Sequence, residues 1–411
     1  MTTVSGADEA GHRMALAREW DDLVGRIRRL DGFEDFLRPP DVADLLKAAA
    51  SGPVVVVNLS SSRCDALVVT ESGVDVVELH TLSLDDVERR VERFLRVLRD
   101  GVSVVAGAGF AAALAERARQ RREREEVLRS TMEWLWDVLV EPVLRALDIT
   151  VAQSVSPQRI WWCPTGLLTL LPLHGAGYHD AAEGNTTLDR VVSSYTPSLR
   201  ALIHQRGSVH DAGNATQRLL FVGADEVPDQ LELAEEVARE KELLSGLLPG
   251  GITPLDGADA TVERVQRALT AHRWAHLSCH GHQKLDNPSA AGFMLNDGTL
   301  TVTRLARMTY PGEFAFLSAC RTATGGIQLP DEAITLAAAL SYTGFRHVVA
   351  TLWSVDPATA ADVTAGVYPR LIYAGRFVPD RSAHALHETV TELRANGRPL
   401  DDWLPFTHTG P

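Results

Sequence analysis

The sequence predicts an α/β protein whose second half is a doubly wound, mostly parallel sheet and whose first half is a further α/β unit. Three observations carry this. From residue 219 onward, short apolar runs alternate with longer helical patterns: 219–223, 231–248, 252–255, 260–272 and 274–279. That is the rhythm of βαβ units. Two later runs, WAHLSCHGH at 274–282 and EFAFLSACRTATG at 313–325, are short, bounded and apolar, as strands buried on both faces are. The chain has 411 residues, more than one domain usually holds.

In chain order, an amphipathic helix is predicted around 14–30, followed by a segment punctuated by Gly32 and Pro39-Pro40, together a docking arm or leader. Strands are predicted at 53–60, 65–70 and 74–80, the last two joined by the Glu71-Ser72-Gly73 turn. Ser83 suits an N-cap, with Asp85, Asp86 and Glu88 behind it where the helix dipole favours negative charge, so a helix runs to about Arg99. A strand at 102–106 precedes a long helical region, 110–147, reset near Pro142. Strands at 159–164 and 191–195 complete the first half, and the polar stretch GSVHDAGNATQ (207–217) reads as a linker. Past 300, helices at 331–342, 357–373 and 382–395 flank a strand at 347–353, after a hairpin at 291–300. The predicted divisions are 1–48, 49–212 and 213–411.

Composition bounds the function. The hydrophobic share of 45% with 23% charged residues is that of a soluble globule. A net charge of −14 argues against nonspecific binding to nucleic acid or anionic membrane. In ERARQRREREE (116–126) arginine and glutamate interleave, so a solvated face with i,i+4 pairs is preferred to a nucleic-acid helix. The four cysteines show no paired framework, the N-terminus lacks a signal pattern, and no apolar run approaches the roughly 18 residues of a membrane span, so a cytoplasmic location is expected. No internal repeat appears, so any repeat array belongs elsewhere.

The chemistry gathers at the two apolar runs. His280, followed by Gly281, ends the first and Cys320 the second, and in open α/β sheets working groups sit past the carboxyl ends of strands. A thiol is a weak nucleophile until a base takes its proton or an imidazolium stabilises the thiolate. Strand alternation places His276, Ser278 and His280 on one face and Cys279 with Leu277 on the other, making Cys279 a small core hydrophobe. The same alternation, with no CxxC pair, argues against zinc on His276, Cys279, His280 and His282. Gly107, Gly109 and Ala112 match a loose dinucleotide fingerprint, but the acidic ribose partner would fall inside the long helix, so a tight turn is preferred. There is no GxSxG elbow. No metal or cofactor is expected.

HLSCHG (276–281), LSACRT (317–322), GFRHVVATLW (344–353) with Val355-Asp356, and WLPF (403–406) resemble a CHAT domain, the caspase-like module often found beside tetratricopeptide repeats and placed in one clan with caspases and separase. Further matches at 194–199 and 161–172 extend the resemblance over most of the chain. The 40 residues between His280 and Cys320 approach the roughly 50 of the caspase signature. The resemblance implies a caspase-like sheet, with the first half an inactive caspase-like partner. It implies a cysteine endopeptidase acting on a protein substrate, latent until a partner, such as a repeat-containing protein, or a signal activates it, in bacterial-type signalling or defence. The loop 322–330, with Gly325-Gly326, is where such activation would act. In that mechanism Cys320 attacks the scissile carbonyl, His280 manages the proton, and the N–H groups of Gly281 and Cys320 hold the oxyanion. The alternatives are a non-proteolytic CHAT scaffold and a Cys-dependent acyl or amide transferase. For substrate binding, Ser318 shares the Cys320 face, and the strand at 347–353 delivers Trp353, Ser354 and Asp356 to the same edge. With no Arg or Lys at 352–358, acidic P1 residues are disfavoured. P1 is basic if Asp356 faces the pocket and uncharged if Asp356 caps the helix that Pro357 opens.

Overall fold

The chain was analysed as a computed structural model, which describes residues 6–34, 36–99, 110–150, 157–180, 184–207, 216–224, 231–248, 250–282, 291–318 and 336–411. The strand expected at 102–106, the glycines Gly107 and Gly109, and most of the linker lie outside them. The chain forms two compact units, Met1–Leu45 and Leu46–Pro411. The first holds the helix Gly6–Ile27, along which Met14, Trp20 and Leu23 are exposed.

The second unit opens with β1 (Val54–Asn58), β2 (Asp65–Thr70) and β3 (Gly73–Glu78), paired antiparallel in turn. Ser83 caps the next helix, Leu84–Arg99, its hydroxyl accepting from Asp86 N at 3.2 Å. Val87, Val91, Phe94 and Leu95 make that helix's buried stripe, at the spacing a 3.6-residue repeat requires. The helix Phe110–Leu135 carries its charge as surface pairs, Arg119 with Glu116 and Glu123, and continues through one wide turn, Trp136–Val140, into Glu141–Ala146. Pro142, which lacks an N–H, stands at that restart. The strands β4 (Gln158–Pro164) and β5 (Val191–Tyr195) lie parallel to β1. No helix among the described residues is long and apolar enough to cross a membrane.

From Thr216 the alternation expected of βαβ units appears. The strands are β6 (Thr216–Gly223), β7 (Ile252–Asp256), β8 (His272–Ser278), β9 (Gly281–His282), β10 (Gly292–Leu295), β11 (Gly298–Thr301), β12 (Phe314–Ser318), β13 (His347–Thr351), β14 (Ile372–Tyr373), β15 (Arg376–Phe377) and β16 (Phe406–Thr409). Among the described residues eleven strands make one sheet, ordered β3-β2-β1-β4-β5-β16-β13-β12-β8-β6-β7. The sheet is mixed but mostly parallel. One parallel block contains β1, β4, β5 and β16, the other β13, β12, β8, β6 and β7, and they meet where β16 pairs antiparallel with β13. The joining strand, β16, was not expected from the sequence. Its four residues, FTHT, carry no run long enough to stand out, and all four are buried only because β5 and β13 flank them.

The second block is covered on both faces. Phe221, Trp274, Phe314 and Phe316 pack under the helices Leu231–Leu247 and Pro357–Leu371, whereas Leu220, Leu277, Cys279 and Leu317 pack with Val265, Leu269 and Leu340 on the opposite side. Gly344, at φ +128°, makes the turn into β13, and a Cβ there would run into the Tyr310 carbonyl. Gly344→Ala is therefore expected to destabilise the fold by about 2 kcal/mol or more, read as a lowered denaturant midpoint.

Candidate active site

β8 and β12 are parallel neighbours, in register from Trp274↔Phe314 to Ser278↔Ser318. Their side chains alternate as expected: His276 and Ser278 face the same side as Phe316 and Ser318, and Cys279, fully buried, belongs to the core of the other face. His280 is half-buried, two residues past the end of β8. Its carbonyl accepts from Met294 N at 2.7 Å, and buried Gly281 then pairs with Phe293, so the hairpin of β10 and β11 holds the backbone on either side of this histidine. Cys320 lies outside the described residues, as do Arg321 and the loop 322–330. β12 ends at Ser318, two residues before Cys320 in the sequence.

Beneath these strand ends sits a buried carboxylate that sequence reasoning did not find. Glu240, on the helix Leu231–Leu247, is 2% exposed. Its Oε1 accepts from Ser318 Oγ at 2.6 Å and Thr364 Oγ1 at 2.8 Å, and its Oε2 from Ser278 Oγ at 2.6 Å and His276 Nε2 at 3.3 Å. Four donors occupy the four lone-pair sites of an ionised carboxylate, and protonation would replace one acceptor with a donor. Burial by itself pushes the Glu240 pKa up, but His276 beside it and the hydrogen bonds from His276, Ser278 and Ser318 outweigh this and hold the carboxyl below its ordinary value. His276 is in turn fixed by Tyr368 Oη at 3.0 Å from Nδ1 and by stacking between Phe221 and Phe316. Burial, then the Glu240 charge, pushes the Tyr368 phenol well up. A signal was present in the sequence: Val237, Glu240 and Leu244 follow i, i+3, i+7 along one helix stripe, and a charge at a stripe position marks a buried polar site.

The four residues expected to bind substrate divide. Ser318 is 1% exposed, with its hydroxyl given to Glu240. Trp353 is 2% exposed; it donates from Nε1 to Asp401 Oδ1 at 2.9 Å and meets Phe94 edge to face at 5.4 Å. Both side chains are spent inside the fold rather than on a pocket wall, because the face they share is covered by helices. Ser354 and Asp356 are exposed. Asp356 caps the helix Pro357–Leu371, accepting from Ala358 N at 2.9 Å, with Pro357 in its first turn. Trp353→Phe, which loses the indole N–H bond to Asp401, is accordingly expected to lower stability, as a melting curve would show.

The first half offers no matching pair among the described residues. Burial pushes the Cys163 thiol up to about 11, and buried His174 has both ring nitrogens engaged, with Tyr195 Oη and the Leu404 carbonyl. Among the described residues no cluster of three or more His, Cys, Asp or Glu is disposed to hold a metal ion.

Residues 129–411 match the family model of the CHAT domain. The fold is similar to that in two crystal structures of the Saccharomyces cerevisiae separase–securin complex. One gives a TM-score of 0.59 at 10% identity, covering 90% of this chain and 31% of that one; the other gives 0.57 at 9%, covering 89% and 30%. The chain thus spans about a third of the length of the chain it matches. The Arg-specific cysteine proteinase gingipain R matches at a TM-score of 0.41 and 11% identity, over 70% of this chain and 75% of that one. No curated protein sequence matches. The separase likeness shows that the fold is caspase-like.

Proposed function

The chain belongs to the CHAT domain family, and from that premise we propose that it is a cysteine endopeptidase cleaving a protein substrate through His280 and Cys320. One observation supports this reading: Ser278 and Ser318 are in register at the ends of two neighbouring parallel strands, and in the sequence His280 and Cys320 each follow by two residues. Adjacent strands lie about 4.8 Å apart, a separation that imidazole and thiol side chains can bridge.

In the proposed reaction the Cys320 thiolate attacks the scissile carbonyl carbon. The N–H groups of Gly281 and Cys320 stabilise the oxyanion. His280 protonates the leaving amine, then takes a proton from the water that hydrolyses the thioester. Gly281 suits the oxyanion role because no side chain keeps substrate from its amide. Of the expected specificity residues, exposed Ser354 and Asp356 stay in the proposal, with P1 uncharged because Asp356 serves the helix cap. Separase is seen in complex with securin, and by analogy a partner protein is proposed to control activity here, in the cytoplasm.

The test is substrate trapping. Cys320→Ala protein should retain cellular proteins that wild-type protein cleaves, and new N-termini should appear with wild type alone. Equal new N-termini from both proteins, or none from either with the same partners retained, would favour the scaffold reading instead.

A further inference from the structure

The proposed mechanism has no step for Glu240, yet this carboxylate joins the two strands that the mechanism needs. Ser278 and Ser318, two of its four donors, are the registered last residues of β8 and β12. Among the described residues this pair is the last rung between the two strands, and the chain after Ser278 goes on to pair with β10. The described pairing thus reaches to two residues before the proposed dyad. The carboxylate joins the two strands there, one oxygen to each serine. Hydrogen bonds to a charged acceptor are shorter and stronger than neutral ones.

We infer that Glu240 is a positioning residue, whose carboxylate clamps the ends of β8 and β12 at one separation and so sets the reach between His280 and Cys320. The inference rests on the dyad reading above. The clamp is itself rigid. Glu240 comes from a third element, the helix Leu231–Leu247, and Thr364, on the helix Pro357–Leu371, holds Oε1 from the far side. His276 holds Oε2 with its ring stacked between Phe221 and Phe316, at 5.4 Å and 5.2 Å. His276 and Tyr368 are the titratable groups in direct contact with this assembly among the described residues. With Tyr368 donating to Nδ1 and Nε2–H donating to Glu240, the imidazole satisfies both neighbours. The negative charge then belongs to Glu240, and its bonds to the two serines are charge-assisted.

The test reads the thiol directly and needs no substrate. Cys320 is alkylated with iodoacetamide from pH 5 to 9, and the rate is followed on its own peptide by mass spectrometry. The proteins compared are wild type, the Ser278→Ala/Ser318→Ala double variant, Glu240→Gln, and Thr389→Val as a control. Thr389 also loses a buried hydroxyl bond, to the Ala385 carbonyl, on a helix that packs against β5, β16 and the helix Pro357–Leu371 but supplies none of the four donors to Glu240. In wild type the alkylation limb is expected below the ordinary thiol pKa of about 8.5. In the double serine variant and in Glu240→Gln the limb is expected to move up by about one pH unit, a tenfold loss of thiolate near pH 6.5. Thr389→Val is expected to leave it in place although it too loses stability. An unmoved limb in the folded serine variant overturns the clamp, as does an equal shift in Thr389→Val. An ordinary limb in wild type overturns the dyad reading itself, and the clamp with it.

Discussion

Cys320→Ala and His280→Ala are each expected to lower turnover of a trapped substrate by at least about a thousandfold while leaving the thermal transition in place. Removing a member of a nucleophile and base pair that acts as a unit costs nearly as much as removing both. Cys279→Ser provides the contrast. It sits in the core of the opposite sheet face, fully buried, so the substitution places a hydroxyl among Leu277, Leu317 and Leu340. It should cost about 1–3 kcal/mol of stability but preserve most of the activity per folded molecule. The measurement is single-turnover cleavage on protein whose folded fraction is known. Equal losses in Cys279→Ser and Cys320→Ala would remove Cys320 from its assigned role.

The second large effect is on stability toward acid. Burial holds His174, His179 and His387 down to about 4, below the ordinary 6.5. Buried His347 and His408 shift in the same direction. Above pH 6.5 these groups are neutral in both states and contribute no slope. As the pH falls below 6.5 the unfolded chain takes up protons that the folded chain refuses, so stability drops until the folded groups titrate near 4. Each of the first three histidines then costs about 1.4 kcal/mol per pH unit, or about 3 kcal/mol across the window. Together these approach the whole stability of an ordinary domain, about 5–15 kcal/mol. The urea midpoint should therefore hold from pH 7.5 to 6.5 and fall steeply from there through 5.5 toward 4, and His174→Gln, although weaker at pH 7.5, should show a shallower slope below 6.5. Glu240 acts lower down. Its contribution, from a carboxyl held below its ordinary value, is present above the unfolded carboxylate pKa and lost only as the pH falls through the folded one. Identical midpoints at pH 7.5 and 5.5 would contradict the assignment of neutral buried histidines.

Local pattern made much of this fold legible. The runs read as β1, β2, β4 and β5 form strands within a residue or two of the expected limits, and the helix Ser382–Ala395 has the limits expected for it. These elements carry their own signals: β-branched runs bounded by turn residues, a capping serine, an apolar stripe at helical spacing. The hairpin at Glu71-Ser72-Gly73 was readable for the same reason. Ser318 and Trp353 were harder. Alternation placed Ser318 on the right face, and the pocket followed only if that face were open; the helices Leu231–Leu247 and Pro357–Leu371 close it.

What the sequence determined by itself is therefore what depends on near neighbours along the chain: element type, strand faces, the burial of Cys279, and a histidine placed just beyond a buried strand. Tertiary structure decided what depends on distant residues meeting. The antiparallel seam exists only because four residues near the end of the chain, Phe406–Thr409, fit between β5 and β13. The Glu240 cluster draws two donors from β8, one from β12 and one from a helix more than a hundred residues away, at Thr364. A lone carboxylate among the charges of a helix announces no partner. Its four hydrogen bonds arise when close packing brings those elements to one point and leaves a buried charge no other neighbours.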